Sequence, residues 1–214
     1  CIRDRYGTMT GITFRNTTGS SLVGITLRGF DIAILVEDSS PSIWYNSVKD
    51  CGKAFYLMGN SSGDLIYSVV DSCATGFYIE QSTGASIRNN TVVNNGTGVE
   101  IYSGSVSITR NIFYNCSTAI TCSGGTASID CNDFWKNQTD FSGCSQGAGD
   151  IFEDPIFCYL TPPSPDLYYL HKDSPCWSSN NQCGVNMGAY TSIYGCEGQS
   201  VEHSTWGDIK AIYR

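Results

Sequence analysis

Apolar residues return at a near-fixed interval along more than half of this chain. Leu22, Ile43, Leu65, Ile87, Ile108 and Ile129 follow one another at 21 or 22 residues. Five residues beyond each lies Leu27, Val48, Val70, Val92, Phe113 or Phe134. Twelve residues beyond each lies Ile34, Phe55, Phe77, Val99, Ile120 or Phe141. Val36, Leu57, Ile79, Ile101 and Cys122 come two residues later still. The distance from the first position to the twelfth never changes, so all variation in length falls in one segment, such as 58–64 or 102–107. Rigid parts joined by one elastic loop describe a coil of stacked rungs.

The local pattern says what the rungs are. Phe77-Tyr78-Ile79 and Val99-Glu100-Ile101 alternate apolar and other residues with the period of a strand. The runs are short, are separated by Gly, Ser, Thr and Asn, and carry no helical stripe. We therefore expect an all-β chain, a right-handed parallel β-helix (solenoid) of about six turns of 21–22 residues. Equivalent strands would pair in parallel about 4.8 Å apart. Ile12 and Phe14 sit 22 residues before Ile34 and Val36, so the coil is expected to begin near Gly11.

One turn cannot stand alone. It buries four or five apolar side chains at roughly 1.5–3 kcal/mol each. Ordering its backbone costs about 1–2 kcal/mol per residue. Stacking supplies the missing hydrogen bonds and closes the core.

Polar positions also recur. The residue three after each repeat start reads Ile25, Asn46, Ser68, Asn90, Asn111, Asn132. Asn favours turns, and in a coil its amide can also bond up and down the column. Outward positions should form rows of their own: Tyr56 with Tyr78, Tyr45 with Tyr67, Lys49 over Asp71, and Tyr114 over Trp135. Such pairs stabilise a sheet by about 0.2–1 kcal/mol each. Tyr56, Tyr78, Tyr114 and Trp135 are also the candidate carbohydrate-binding rows, because exposed rings stack on sugars.

Composition narrows the classes. A net charge of −8 and the absence of a basic stripe argue against nucleic acid as a partner. No apolar run approaches the 18 residues of a membrane span. Eleven cysteines without a CxxC pair, and only two histidines, point to disulfides and an oxidising compartment rather than to zinc. No cofactor is implied. Six Asn-x-Ser/Thr sequons, at Asn16, Asn60, Asn89, Asn95, Asn115 and Asn137, are candidate glycosylation sites. Cys51 and Cys73 share one position on adjacent turns, either as a bond or as an unbonded column of thiols that Cys116 continues.

After Asp130 the pattern changes. Asp154-Pro-Ile-Phe-Cys158, Asp166-Leu-Tyr-Tyr-Leu170, Ser174-Pro-Cys176 and Cys183-Gly-Val185 with Met187-Gly-Ala-Tyr190 follow in turn. In these motifs the chain resembles the secreted bacterial right-handed parallel β-helix repeat proteins of pectate-lyase-like fold. The resemblance implies a secreted, extracellular or cell-surface location and a Cys-rich C-terminal cap. Ser204–Arg214 is similar to the linker that precedes a C-terminal sorting domain in such proteins. The expected division is residues 1–144 as the β-helix, 145–200 as a disulfide-rich irregular cap packed on it, and 201–214 as an extended tail. We expect Cys131–Cys144 to close the last turn, and Cys158–Cys176 and Cys183–Cys196 to staple the cap.

A β-helix lyase or hydrolase needs carboxylates converging on one face, and a glycosidase needs two of them roughly 5–10 Å apart. The acids from Asp31 to Asp140 scatter over different faces, and Asp150, Glu153 and Asp154 read as a bend rather than a calcium loop. The reading favoured is a non-catalytic extracellular structural protein. Head-to-tail filaments are one form it could take, with Trp206, Ile209, Ile212 and Tyr213 of the apolar tail adding a strand to a neighbour. A carbohydrate-binding module and a polysaccharide lyase or hydrolase are the alternatives.

Overall fold

The computed structural model describes residues 9–158 and 168–190. Within them nineteen strands form and no helix does. Each turn supplies three strands, as in Lys53–Met58, Gly63–Ile66 and Val69–Asp71. Equivalent strands of successive turns stack in parallel, giving three sheets of seven, six and six strands. The fold is a parallel β-solenoid of about six turns.

The counted columns are the core. Leu22 pairs with Ile43, Ile43 with Leu65, Leu65 with Ile87, Ile87 with Ile108 and Ile108 with Ile129. Ile12 and Phe14 pair with Ile34 and Val36, so the coil starts in the strand Thr10–Arg15. Aromatic members of the columns stack: Phe55 on Phe77 at 4.7 Å, and Phe113 on Phe134 at 5.1 Å between ring centroids. All four are buried.

Each bend has its own chemistry. The residue before the Asn column is left-handed in every turn: Gly24, Tyr45, Tyr67, Asn89, Arg110 and Cys131 have φ between 50° and 69°. The chain thereby turns a corner and points the next side chain inward. Asn90, Asn111 and Asn132 stand there fully buried. Each amide accepts from the backbone N–H one turn earlier: Ser68 to Asn90, Asn90 to Asn111, and Asn111 to Asn132, at 2.9–3.0 Å. Asp150 ends the column by accepting from the Asn132 N–H at 2.8 Å and from Gly147 N–H at 2.7 Å. The expected amide ladder is thus present, and Asp150 serves as its terminus.

The C-terminal segment does not sit over the end of the coil as a plug. Residues 168–190 lie lengthwise along the flank of the third sheet. Tyr168 reaches Asp71, Ala189 N–H donates to Thr91 Oγ1, and Gly188 N–H donates to the Arg110 carbonyl. Leu170, Cys176, Trp177 and Met187 form a second small core on Ile112. The reason is visible in the strands they cover. Val69, Val93 and Ile112 point outward yet are apolar, and each is at most 3% exposed. Residues 150–153 also reach the last turn, where Ile151 bridges to Asp133 and Phe152 stacks on Phe134 at 5.7 Å.

The disulfide pairing differs from expectation. Cys131 bonds Cys183, not Cys144. Cys144 and Cys176 are free thiols, which removes Cys131–Cys144, Cys158–Cys176 and Cys183–Cys196 as pairs. Cys158 is disulfide-bonded. Cys131 occupies a left-handed bend position, so its side chain faces the flank, where Cys183 arrives. Cys196 and the tail residues Trp206, Ile209, Ile212 and Tyr213 lie outside the described residues.

Candidate functional site

The outward rows form, but the chain's own groups occupy them. Tyr56 and Tyr78 meet edge to face at 5.1 Å. The Lys53 ammonium sits over both rings, at 4.6 and 4.0 Å from their centroids. Tyr56 also donates its hydroxyl to Glu80, and burial, then that carboxylate, pushes its pKa up. Tyr114 pairs with Trp135 in the sheet register, yet its ring packs against Phe157 at 5.5 Å. The Trp135 indole N–H is buried without an acceptor among the described residues. Tyr56, Tyr78 and Tyr114 thus contribute contacts within the coil and to its flank segment.

The acids of the coil are likewise engaged turn to turn. Arg15 pairs with Glu37 at 2.6 Å, Arg28 with Asp50 at 2.6 Å, Lys49 with Asp71 at 3.0 Å, and Arg88 with Asp64 at 3.6 Å. Asp71 is the most connected. Burial alone would raise its pKa, but hydrogen bonds from Asn94, Ser72, Lys49 and Tyr168 outweigh burial and lower it. This carboxylate ties the third turn to the flank segment. Sequence reading placed Lys49 over Asp71 and missed Tyr168, which lies 97 residues away.

Asp133 is a different case. It is fully buried, accepts the Cys176 thiol at 3.2 Å and the Glu153 N–H at 3.3 Å. Burial foremost lifts its pKa from 3.8 to about 7, against the help of those two donors. The folded state therefore keeps this proton to a higher pH than the unfolded chain. Stability from this group is full below pH 3.8, falls as pH rises towards about 7, and is constant above. Asp133→Asn should flatten that decline and stabilise the protein at pH 8 by roughly 2 kcal/mol, about half the nominal linkage after local relaxation. Thermal melts of both forms from pH 4 to pH 8 check this, and parallel pH profiles would refute it.

Two pairs of thiols stack across adjacent turns. Cys51 and Cys73 are buried and hydrogen-bonded to each other, and they are not bonded covalently. The bond from Cys73 pulls Cys51 down to about 6 against the effect of burial, while Cys73, as the donor, moves up. Cys122 and Cys144 form the second pair, and both are partly exposed. Burial, then Cys144, pushes Cys122 up to about 12. Cys116 stands alone and buried below Asn95, with its thiol raised to about 11 by burial.

A shallow cleft of about 190 Å³ lies beside the bend column, lined by Tyr45, Tyr67, Tyr190, Asn46, Ser47 and Thr26 among others. Tyr45 and Tyr67 stack at 5.1 Å with their planes 7° apart, as the repeat predicts, and Tyr45 is 53% exposed. Both are left-handed, a conformation that costs an ordinary residue about 1–2 kcal/mol. Of the sequons, Asn16, Asn60 and Asn115 are exposed. Asn89 and Asn95 are buried and committed to Asn186 and Val70 carbonyls, and Asn137 bonds Phe113 and Asp140.

With a stacked parallel coil on the page, one comparison decides the family. Residues 3–150 match the family described as Periplasmic copper-binding protein (NosD). The chain belongs to the NosD family. No curated protein and no solved structure matches it. The NosD family is periplasmic, and among the described residues no helix is long and apolar enough to cross a membrane. This chain is thus a β-helix protein of an extracellular or periplasmic kind.

The family description raises the question of copper, and the donors here restrict the answer. No group of three or more His, Cys, Asp or Glu side chains gathers among the described residues. His171, the one described histidine, accepts from the Asp173 N–H through Nδ1. What the coil does offer is soft sulfur donors in pairs, the kind that cuprous copper selects. A two-coordinate Cu(I) fits such a pair, and a site for Cu(II) built on imidazoles does not.

Proposed function

We propose that this NosD-family chain is a non-catalytic extracytoplasmic scaffold, a rigid β-helix that supports or presents other surfaces. The observation that carries the reading is the turn-to-turn pairing of outward side chains. Four ion pairs link residues 22 or 24 positions apart in sequence, and the tyrosine rows stack in the same direction. Four of the coil's carboxylates, Glu37, Asp50, Asp64 and Asp71, are paired with cations of neighbouring turns. The test is to incubate the protein with polyuronates and neutral glycans and to assay unsaturated products and reducing ends. The scaffold reading expects neither. Product formation that Asp71→Asn abolishes would establish a lyase or hydrolase instead. Head-to-tail filaments are one form such a scaffold can take. Sedimentation velocity and electron microscopy at high concentration decide it, and a persistent monomer removes the filament.

A second reading has one observation in its favour. The cleft sets the exposed Tyr45 ring and the half-buried Tyr67 and Tyr190 beside the hydroxyl-bearing Ser47 and Thr26, a combination suited to a sugar. Where an array identifies a bound glycan, Tyr45→Ala and Tyr67→Ala should each weaken it about tenfold, the worth of one stacking contact of about 1.4 kcal/mol. Equal loss from Tyr56→Ala would move the site to the other row.

A further inference from the structure

The left-handed bend positions form one outward column, and its ring stack is open at one end. Val23 pairs with Trp44 and Trp44 with Ile66, so Gly24, Tyr45 and Tyr67 follow one another in that column. Their φ angles are 69°, 56° and 50°. Glycine and asparagine adopt this conformation at least cost. Two successive tyrosines there accept backbone strain, a pattern that belongs to working sites. Tyr67 stacks on one face of Tyr45. The other face looks toward Gly24, which has no side chain to lay over it. A Cβ built on Gly24 would meet no atom within 4 Å. The place of a third ring, one rung or about 4.8 Å beyond Tyr45, is therefore open.

The surroundings of that place suit a small neutral ring. Its volume of about 190 Å³ is below the roughly 300–1,000 Å³ of sites for larger ligands, so it holds one ring. Tyr190 forms part of the wall. Thr26 and Ser47 pair in register and bring two hydroxyls, one exposed and one half-buried. Asn46 is only floor, because its amide is already bonded to the Ile25 N–H and to the Leu22 and Trp44 carbonyls. Among the described residues no charged side chain lines the cleft. Arg28 and Lys49, on the strands of Thr26 and Ser47, pair with Asp50 and Asp71.

We propose, resting on the sugar reading of this cleft, that it seats one uncharged pyranose residue on the open face of Tyr45 above Gly24. The class is a β-glucopyranoside, whose ring substituents are all equatorial. Such a ring lays a flat face of axial C–H bonds on the electron-rich face of an aromatic ring. Its hydroxyls lie around the ring edge, within the cleft that Thr26 and Ser47 line. A uronate would bring a carboxylate with no cation to meet it, at a cost in affinity. The sugar plane continues the Tyr45–Tyr67 stack, so a longer glycan crosses the coil and does not run along the column.

The experiment uses the full chain with methyl β-glucopyranoside and methyl β-glucuronoside, followed by saturation-transfer NMR. Saturation should reach the glucoside, strongest at the protons of one ring face. The glucuronoside should bind at least about tenfold more weakly. Gly24→Tyr is the decisive variant. The same column already carries tyrosine twice, so the chain should accept a third, and its ring would fill the seat and abolish binding. Thermal melts check that it folds. Thr26→Val with Ser47→Ala leaves the seat open but removes both hydroxyls, and should raise Kd at least about fivefold. Binding that persists in folded Gly24→Tyr, an unchanged Kd in the hydroxyl double variant, or equal binding of the glucuronoside would each overturn this seat while leaving a sugar site at Tyr45 and Tyr67 standing. No saturation of the glucoside would overturn it too. The sugar reading then survives if a glycan array shows a ligand that Tyr45→Ala loses, and a blank array removes both.

Discussion

Replacing Asn111 with alanine is expected to destabilise the coil by about 4 kcal/mol, because two or more buried polar groups lose their partners at about 1–3 kcal/mol each. The Asn111 amide accepts the Asn90 backbone N–H at 2.9 Å and donates to the Ile87 and Thr109 carbonyls at 2.9 and 3.0 Å. It also donates to Asn132 Oδ1 and accepts from the Asn90 side chain. Water has no path to replace these bonds, since Asn90, Asn111 and Asn132 are all fully buried. Urea denaturation measures the loss. Asn111→Asp is the sharper variant. It keeps the shape but turns acceptor oxygens toward two carbonyls, and it should be at least as damaging as alanine. A change of under about 1 kcal/mol for either variant would mean that the ladder is decoration on a coil held by its core alone.

Phe113→Ala should cost roughly 3–5 kcal/mol, the range for deleting a buried aromatic ring. Phe113 is fully buried and stacks on Phe134 with planes 8° apart. Gly98 leaves room for it: a Cβ there would stand 2.9 Å from the Phe113 ring and 2.5 Å from the Ala119 carbonyl oxygen. The backbone bonds of two sheets frame the ring, so the site cannot collapse to refill the space. Phe113→Leu should recover most of the loss by restoring volume. Equal costs for Leu and Ala would show that ring stacking, not volume, sets the energy here. Both variants are best followed by two probes, because stacked repeats can unfold in parts.

These two residues also show how much of the fold the sequence reveals. Phe113 and Asn111 each occupy a position defined by counting from Ile108, and from Ile108 onward the register follows the count. Local periodicity is legible because each turn repeats the same physical problem. The Lys49–Asp71 pair was readable for that reason, and so was the Tyr45–Tyr67 stack. What the repeat could not disclose is contact with chain that lies outside it. Cys131 bonds Cys183 across 52 residues because residues 168–190 run along the flank. Proximity in sequence to Cys144 was no guide to that. The one available signal was the apolar character of Val69, Val93 and Ile112 on the outward face, which calls for a cover without saying which segment supplies it. The Asp133–Cys176 contact was hidden for the same reason. Cys144 was not placed by the count because it stands one residue beyond Gly143, which holds the register position after Cys122.

The flank segment also limits how this coil can grow. A solenoid invites duplication, since a copied turn of 21 or 22 residues can slot into the stack with its neighbours unchanged. Here Tyr168, Asn186, Ala189, Gly188, Cys183 and Cys176 meet Asp71, Asn89, Thr91, Arg110, Cys131 and Asp133. A turn inserted between Asp71 and Asp133 would move these partners apart by about one rung, roughly 4.8 Å, and the segment could no longer engage both ends. A turn inserted before Asp71 would disturb none of them. Lengthening by duplication is therefore open on one side of Asp71 and barred on the other, so length variants of this architecture should differ in the turns that precede the Asp71 position.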